Sequence, residues 1–205
     1  MNIQKAHISI GLLFVLFACT EKAELKVVDT GIDSSQNITE KKSLDTSFVK
    51  ALSQGKYSFK ISVIESRLTI ILDGLTIDNS PIVREIEGIV TDAEIGDLNG
   101  DSYPEIFIYT TSEVNGGYAK AYGFSANNGK SMSDIYIPAV ADNIEVSKGY
   151  KGHDDFGIVE GSLIQRFPIY EEGNSTPSGV TRQIQYRLQD GEASRELVID
   201  KTIEY

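Results

Sequence analysis

From residue 57 to residue 63, apolar and polar side chains alternate without a break: Tyr57, Phe59, Ile61 and Val63 share one parity, Ser58, Lys60 and Ser62 the other. Successive side chains of a strand point to opposite faces, so this pattern dictates a half-buried β-strand, and a helix could not gather those four apolar residues on one side. The same reading continues down the chain. Further strands are expected over 67–75, 82–95 (bent near Gly88), 106–110, 118–124, 156–169 (bulged at Gly161-Ser162), 183–188 and from Leu197 onward, with turn residues between them. The strands 106–110 and 118–124 should pair across the loop that holds Asn115-Gly116-Gly117. About eight strands over residues 56–205 predict an all-β fold, an antiparallel β-sandwich. No stretch repeats at a period of 20–50 residues, which argues against a solenoid or a propeller.

The first 55 residues read differently. A lysine at position 5 precedes an apolar run over 8–18 that is too short to span a ~30 Å hydrocarbon core and suits a signal-peptide h-region. The run ends in Leu16-Phe17-Ala18-Cys19, which resembles the lipobox of bacterial lipoproteins. That resemblance implies a signal peptide over 1–18, cleavage before Cys19, lipid on its thiol, and a place in the bacterial cell envelope, at the periplasmic side of the outer membrane or the cell surface. Two acyl chains on one cysteine make a stable anchor, whereas one is marginal. Residues 19–55 are polar and mixed in charge and read as a flexible tether. Within them Leu44, Phe48 and Leu52 recur every fourth residue and suggest one short helix.

Composition closes several routes. Cys19 is the only cysteine, so no disulfide forms within the chain and stability must come from a hydrophobic core. Beyond the leader the chain keeps one histidine, His153, which removes zinc sites built from Cys and His. The net charge of −11 opposes nucleic acid and anionic lipid surfaces as partners. His153-Asp154 could form a His–carboxylate pair, but no G-x-S-x-G nucleophile elbow accompanies it, and an enzyme is not expected. The stretch 97–105 spaces oxygen side chains at alternate positions, so Asp97, Asn99, Asp101 and Glu105, with the Tyr103 carbonyl, are candidate Ca²⁺ ligands. It resembles the calcium loops of FG-GAP repeats; the EF-hand pattern fails because Ser102 stands at loop position six and Ile108 at the closing position. The alternative is a polar turn joining two strands, with its acids facing water.

Several stretches in order resemble one family, the periplasmic inhibitors of invertebrate-type lysozyme. They are Gly88-Ile89-Val90-Thr91-Asp92-Ala93, then 97–105 leading into Ile106-Phe107-Ile108-Tyr109, then Gly117-Tyr118 with Ala121-Tyr122 beyond and Gly129-Lys130-Ser131-Met132-Ser133. The series continues with Gly149-Tyr150-Lys151-Gly152-His153-Asp154-Asp155-Phe156, Val159-Glu160-Gly161-Ser162-Leu163, Arg166-Phe167-Pro168 and the strand from Thr181. The resemblance implies a β-sandwich that inhibits by inserting a Ser-Gly-x-Tyr loop into the lysozyme's substrate cleft, where serine and tyrosine hydroxyls engage catalytic carboxylates. That motif falls on Asn115, Gly116, Gly117 and Tyr118, with asparagine in place of serine. The Asn115 amide can still donate a hydrogen bond to a carboxylate. The expected function is thus a lipid-anchored inhibitor whose partners are an invertebrate-type lysozyme and the membrane. It needs no cofactor, and the reading leaves room for a homodimer. The alternative is a Ca²⁺-dependent adhesion or carbohydrate-binding module centred on Asp97, Asn99 and Asp101.

Overall fold

The computed structural model describes residues 48–112 and 117–205. The expected signal peptide (1–18), Cys19, the tether as far as residue 47, Asn115 and Gly116 lie outside the described residues. The described chain is all-β: twelve strands form three antiparallel four-stranded sheets, with one turn of 3-10 helix at Val140–Asp142. Each sheet is a meander built from consecutive chain. The first holds β1 (Phe48–Gln54), β2 (Tyr57–Ile64), β3 (Arg67–Asp73) and β4 (Ile82–Glu85). The second holds β5 (Ile89–Gly96), β6 (Glu105–Thr111), β7 (Ala119–Asn127) and β8 (Ser131–Ile135). The third holds β9 (Asp155–Val159), β10 (Ser162–Tyr170), β11 (Pro177–Asp190) and β12 (Arg195–Glu204).

Four differences from the sequence reading separate eight expected strands from twelve, and each has a local cause. Phe48 and Leu52, expected in a helix, lie in β1, which pairs antiparallel with β2 from Phe48 opposite Val63 to Gln54 opposite Tyr57. The strands therefore begin at Phe48, before the expected domain boundary at residue 56. The run 82–95 is two strands in different sheets, β4 and β5. Gly88 between them has φ +84°, and a Cβ there would come within 2.6 Å of the Thr111 carbonyl oxygen. A side chain is excluded at that crossover. The run 156–169 is also two strands. Glu160 (φ +49°) and Gly161 (φ +73°) form a two-residue turn with both residues left-handed, the type that matches strand twist, so Gly161 marks a hairpin and no bulge. Finally, β8 escaped notice because Ser131, Met132, Ser133 and Asp134 offer almost no apolar alternation.

The sheets stack as layers of a sandwich-like fold, with the second sheet in the middle. Ile106 and Ile108 of β6, with Phe124 and Ala126 of β7, join the core made by Phe59, Ile61, Leu68 and Ile70 of the first sheet. Phe107 and Tyr109 of the same β6 join a second core with Leu163, Phe167, Ile184 and Tyr186 of the third. Opposite parities of one strand thus serve two cores, and β6 is buried from Glu105 to Thr110. A strand covered on both faces loses alternation and reads as a continuous apolar run, as Ile106-Phe107-Ile108-Tyr109 does. The second and third sheets are also sewn together at an edge. Tyr136, just beyond β8, donates its N–H to the Arg195 carbonyl and accepts from Leu197 N–H at 2.9 and 2.8 Å.

Candidate functional site

The connection from β6 to β7 carries the residues singled out in the sequence. Their ladder runs to the pair Thr111–Ala119, and one bond beyond it Ser112 N–H donates to the Tyr118 carbonyl at 2.9 Å. Tyr118 lies at the end of the ladder with 45% of its surface exposed. Its ring meets Tyr150 edge-on at a centroid distance of 5.7 Å, and Tyr150 in turn sits edge-on against buried Phe167 at 4.6 Å. Such edge-to-face pairs are favourable in addition to the area they bury. The exposed tyrosine is therefore the outermost member of an aromatic series that begins in the second core.

Polar contacts fasten the same place from below. His153, in a left-handed conformation (φ +61°), donates its backbone N–H to the Gly117 carbonyl at 3.1 Å. Its neighbour Asp154 receives three donors: Ala119 N–H at 3.1 Å and the Tyr150 hydroxyl at 2.7 Å on Oδ2, and Gln165 Nε2 at 2.6 Å on Oδ1. Gln165 Oε1 accepts from the buried Tyr186 hydroxyl at 2.7 Å. Burial pushes the Asp154 carboxyl above the ordinary carboxylate value, while the Tyr150, Ala119 and Gln165 donors pull the other way. Burial, followed by the bond to Asp154, raises the Tyr150 phenol. The Gly-His-Asp stretch thus acts through one backbone amide and one half-buried carboxylate. An apolar groove of about 400 Å³ runs beside Tyr118, walled by Tyr122, Ile137, Pro138, Tyr150 and Phe156. Across Ala119 and Phe156 lies a polar cleft of about 340 Å³ containing Asp92, Glu94, Thr111 and Asp155. A cavity of about 790 Å³ is bordered by Tyr150, Lys151, Tyr170 and Arg182. The Arg182 guanidinium there is already engaged by Glu204 and by the carbonyls of Val146 and Lys148.

The 97–105 stretch leads from β5 into β6, and the side-chain oxygens of Asp97, Asn99, Asp101 and Glu105 accept hydrogen bonds from within the protein. Asp97 caps the turn, accepting Gly100 N–H (2.8 Å) and Asp101 N–H (3.1 Å) on Oδ1 and Ser102 N–H (2.8 Å) on Oδ2. Asn99 Oδ1 accepts Asp101 N–H, and Asp101 Oδ1 accepts Tyr103 N–H. The Tyr103 ring leans edge-on against Tyr57. Glu105 is fully buried, with Oε2 on Leu98 N–H (2.9 Å) and Oε1 on the Ser125 hydroxyl (2.7 Å). The remaining charge converges on an arginine from the other end of the chain. Arg195 of β12 places Nη2 2.7 Å from Asp101 Oδ2 and Nη1 3.0 Å from Glu105 Oε1. Among the described residues, no group of three or more His, Cys, Asp or Glu side chains is arranged to hold a metal.

Of the sequence candidates, then, Gly117 and Tyr118 fall at one surface position backed by Tyr150 and Asp154, and the five residues of the acidic loop fall at another, backed by Arg195. Sequence reasoning missed Tyr150, Gln165 and Arg195 as parts of these sites. Nothing local announces them, because Tyr150 and Gln165 stand more than 30 residues from Tyr118 in sequence and Arg195 stands 90 from Glu105. The chain matches no family model, no curated protein and no solved structure.

Proposed function

We propose that this protein is a cell-envelope inhibitor of invertebrate-type lysozyme, moored by lipid on Cys19, that seats the loop of Asn115, Gly116, Gly117 and Tyr118 in the enzyme's substrate cleft. The observation that carries the reading is Tyr118 itself: a half-exposed aromatic at the end of the β6–β7 hairpin, its ring braced edge-on by Tyr150. An aromatic with a polar tip is the residue type that dominates binding energy at protein interfaces. A hydroxyl hydrogen-bonded to a carboxylate in a desolvated cleft is charge-assisted, and such bonds are about twice as strong as neutral ones. Holding the tyrosine in place before contact lowers the ordering cost of association. No cofactor enters this mode of action.

The test is lysis of peptidoglycan by lysozymes of the invertebrate, chicken and goose types in the presence of the purified full chain. Inhibition is expected of the invertebrate type alone. Tyr118→Ala should weaken it at least tenfold, about 1.4 kcal/mol, and Tyr118→Phe should separate the hydroxyl's share from the ring's. Undiminished lysis at a large molar excess of the protein would sink the proposal.

A further inference from the structure

Tyr118 is the residue that meets the partner, yet the groups that fix where it stands are elsewhere in the sequence. Its own backbone is held on one side by Ser112 and followed at once by Ala119, whose N–H points at Asp154 Oδ2. Its ring is held by Tyr150, whose hydroxyl ends on that same oxygen. Backbone and ring are therefore located by one atom. That atom's carboxylate is fixed in turn, because Gln165 on β10 holds Oδ1 and Tyr186 on β11 holds Gln165. Leu163 and Ile184, on the same two strands, are fully buried, so the chain of bonds ends in the rigid part of the molecule.

We infer that Asp154 is the positioning residue of Tyr118: a half-buried carboxylate that ties Ala119 N–H and the Tyr150 hydroxyl to one point and so sets the direction in which Tyr118 is presented to the lysozyme cleft. The inference rests on the reading of Tyr118 given above, and adds a residue that makes no contact with the partner. It differs from a purely structural role in a definite way. A carboxylate that only stabilised the third sheet would affect inhibition in proportion to lost folded protein, with or without Tyr118. A positioning carboxylate affects it only while Tyr118 is there to be aimed.

Three variants separate these roles. Asp154→Ala removes every acceptor. Asp154→Asn keeps the shape, and its amide can be accommodated if Gln165 turns its own amide and the Tyr186 hydroxyl reverses. Tyr150→Phe keeps the ring contact and removes only the hydroxyl. In the full chain, amide hydrogen exchange at Ala119 should speed up at least tenfold in Asp154→Ala, less in Asp154→Asn, with Leu163 and Ile184 keeping their protection. Inhibition should weaken in the same order, and Tyr150→Phe should weaken it without slowing or speeding exchange in β10 and β11. The double variant Asp154→Ala with Tyr118→Ala should inhibit no worse than Tyr118→Ala alone, since coupled positions are not additive. Unchanged exchange at Ala119 overturns the inference whatever the lysozyme assay gives. So does a double variant whose losses multiply. If Asp154→Ala fails to fold, Asp154→Asn and Tyr150→Phe carry the same comparison. If the parent chain inhibits no lysozyme, the proposed function falls, and exchange at Ala119 alone decides whether Asp154 holds the loop.

Discussion

Arg195 shows what one side chain can settle. Its guanidinium stands where the acidic loop turns its charge, so the loop of Asp97, Asn99, Asp101, Tyr103 and Glu105 already has a cation, covalently part of the chain. Millimolar Ca²⁺ should therefore leave the melting temperature of the protein unchanged, whereas a shift of several degrees would restore the calcium-module reading. Removing Arg195 strands Glu105, which is fully buried. Breaking one side of a buried pair costs about 3–5 kcal/mol, so Arg195→Ala should lower the urea midpoint by that equivalent at pH 7. The pH dependence has a definite sign. Burial raises the Glu105 carboxyl even against Leu98, Ser125 and Arg195, so the folded state takes up this proton at higher pH than the unfolded chain does. Without Arg195 the carboxyl rises further, and its burden on the fold is relieved as pH falls through that value. The gap between variant and parent should narrow from pH 7 to pH 5 in urea titrations. Of this site the sequence shows the loop and its spacing. It cannot show the arginine, which lies 90 residues beyond Glu105 and reaches Glu105 of β6 and Ser125 of β7 only when β12 lies beside β8.

At the scale of elements, a strand with one face covered is legible by its alternation and one covered on both faces by its unbroken apolar run. β2 reads directly as Tyr57, Phe59, Ile61 and Val63 inside and their neighbours outside. β1 is ambiguous in sequence because a spacing of four fits both a helical turn and two steps of a strand. Phe48 and Leu52 cannot distinguish the two, and pairing with β2 decides. A fragment starting at residue 56 would lack β1 and leave the β2 edge unpaired. It should melt several degrees below one starting at residue 42, because half-buried Phe48 and Leu52 each contribute on the order of 1 kcal/mol, as calorimetry of both fragments will show. The hairpin between β7 and β8 makes a second test. Gly129 has φ +64°, and a Cβ there would sit 2.8 Å from the Tyr103 ring and closer still to the Tyr57 hydroxyl. Gly129→Ala combines backbone strain with overpacking and should cost about 2–3 kcal/mol. The pairing of β6 with β7 is legible in the sequence, although β7 starts at Ala119 and leaves Tyr118 just outside it. The platform is not legible, since His153 and Asp154 act through bonds to Gly117 and Ala119 that no local pattern encodes.

Across the whole molecule, the two cores share one sheet, so neither can melt alone. Phe107 faces one core and Ile108 the other from adjacent positions on β6. Phe107→Ala should cost about 3–5 kcal/mol. It should lower a single transition seen identically by far-UV signal and by tyrosine near-UV signal, where two independent cores would give two. The same arrangement bears on how the protein is made. Each sheet is complete once its own stretch of chain exists, so the first two can close against each other as soon as residue 135 is available. The central sheet then waits, with Phe107, Tyr109 and Ile135 uncovered, until the strands from 155 to 204 follow. In that interval the face that later supports Tyr118 is an exposed apolar surface, and it is then that the folding chain has most need of a chaperone.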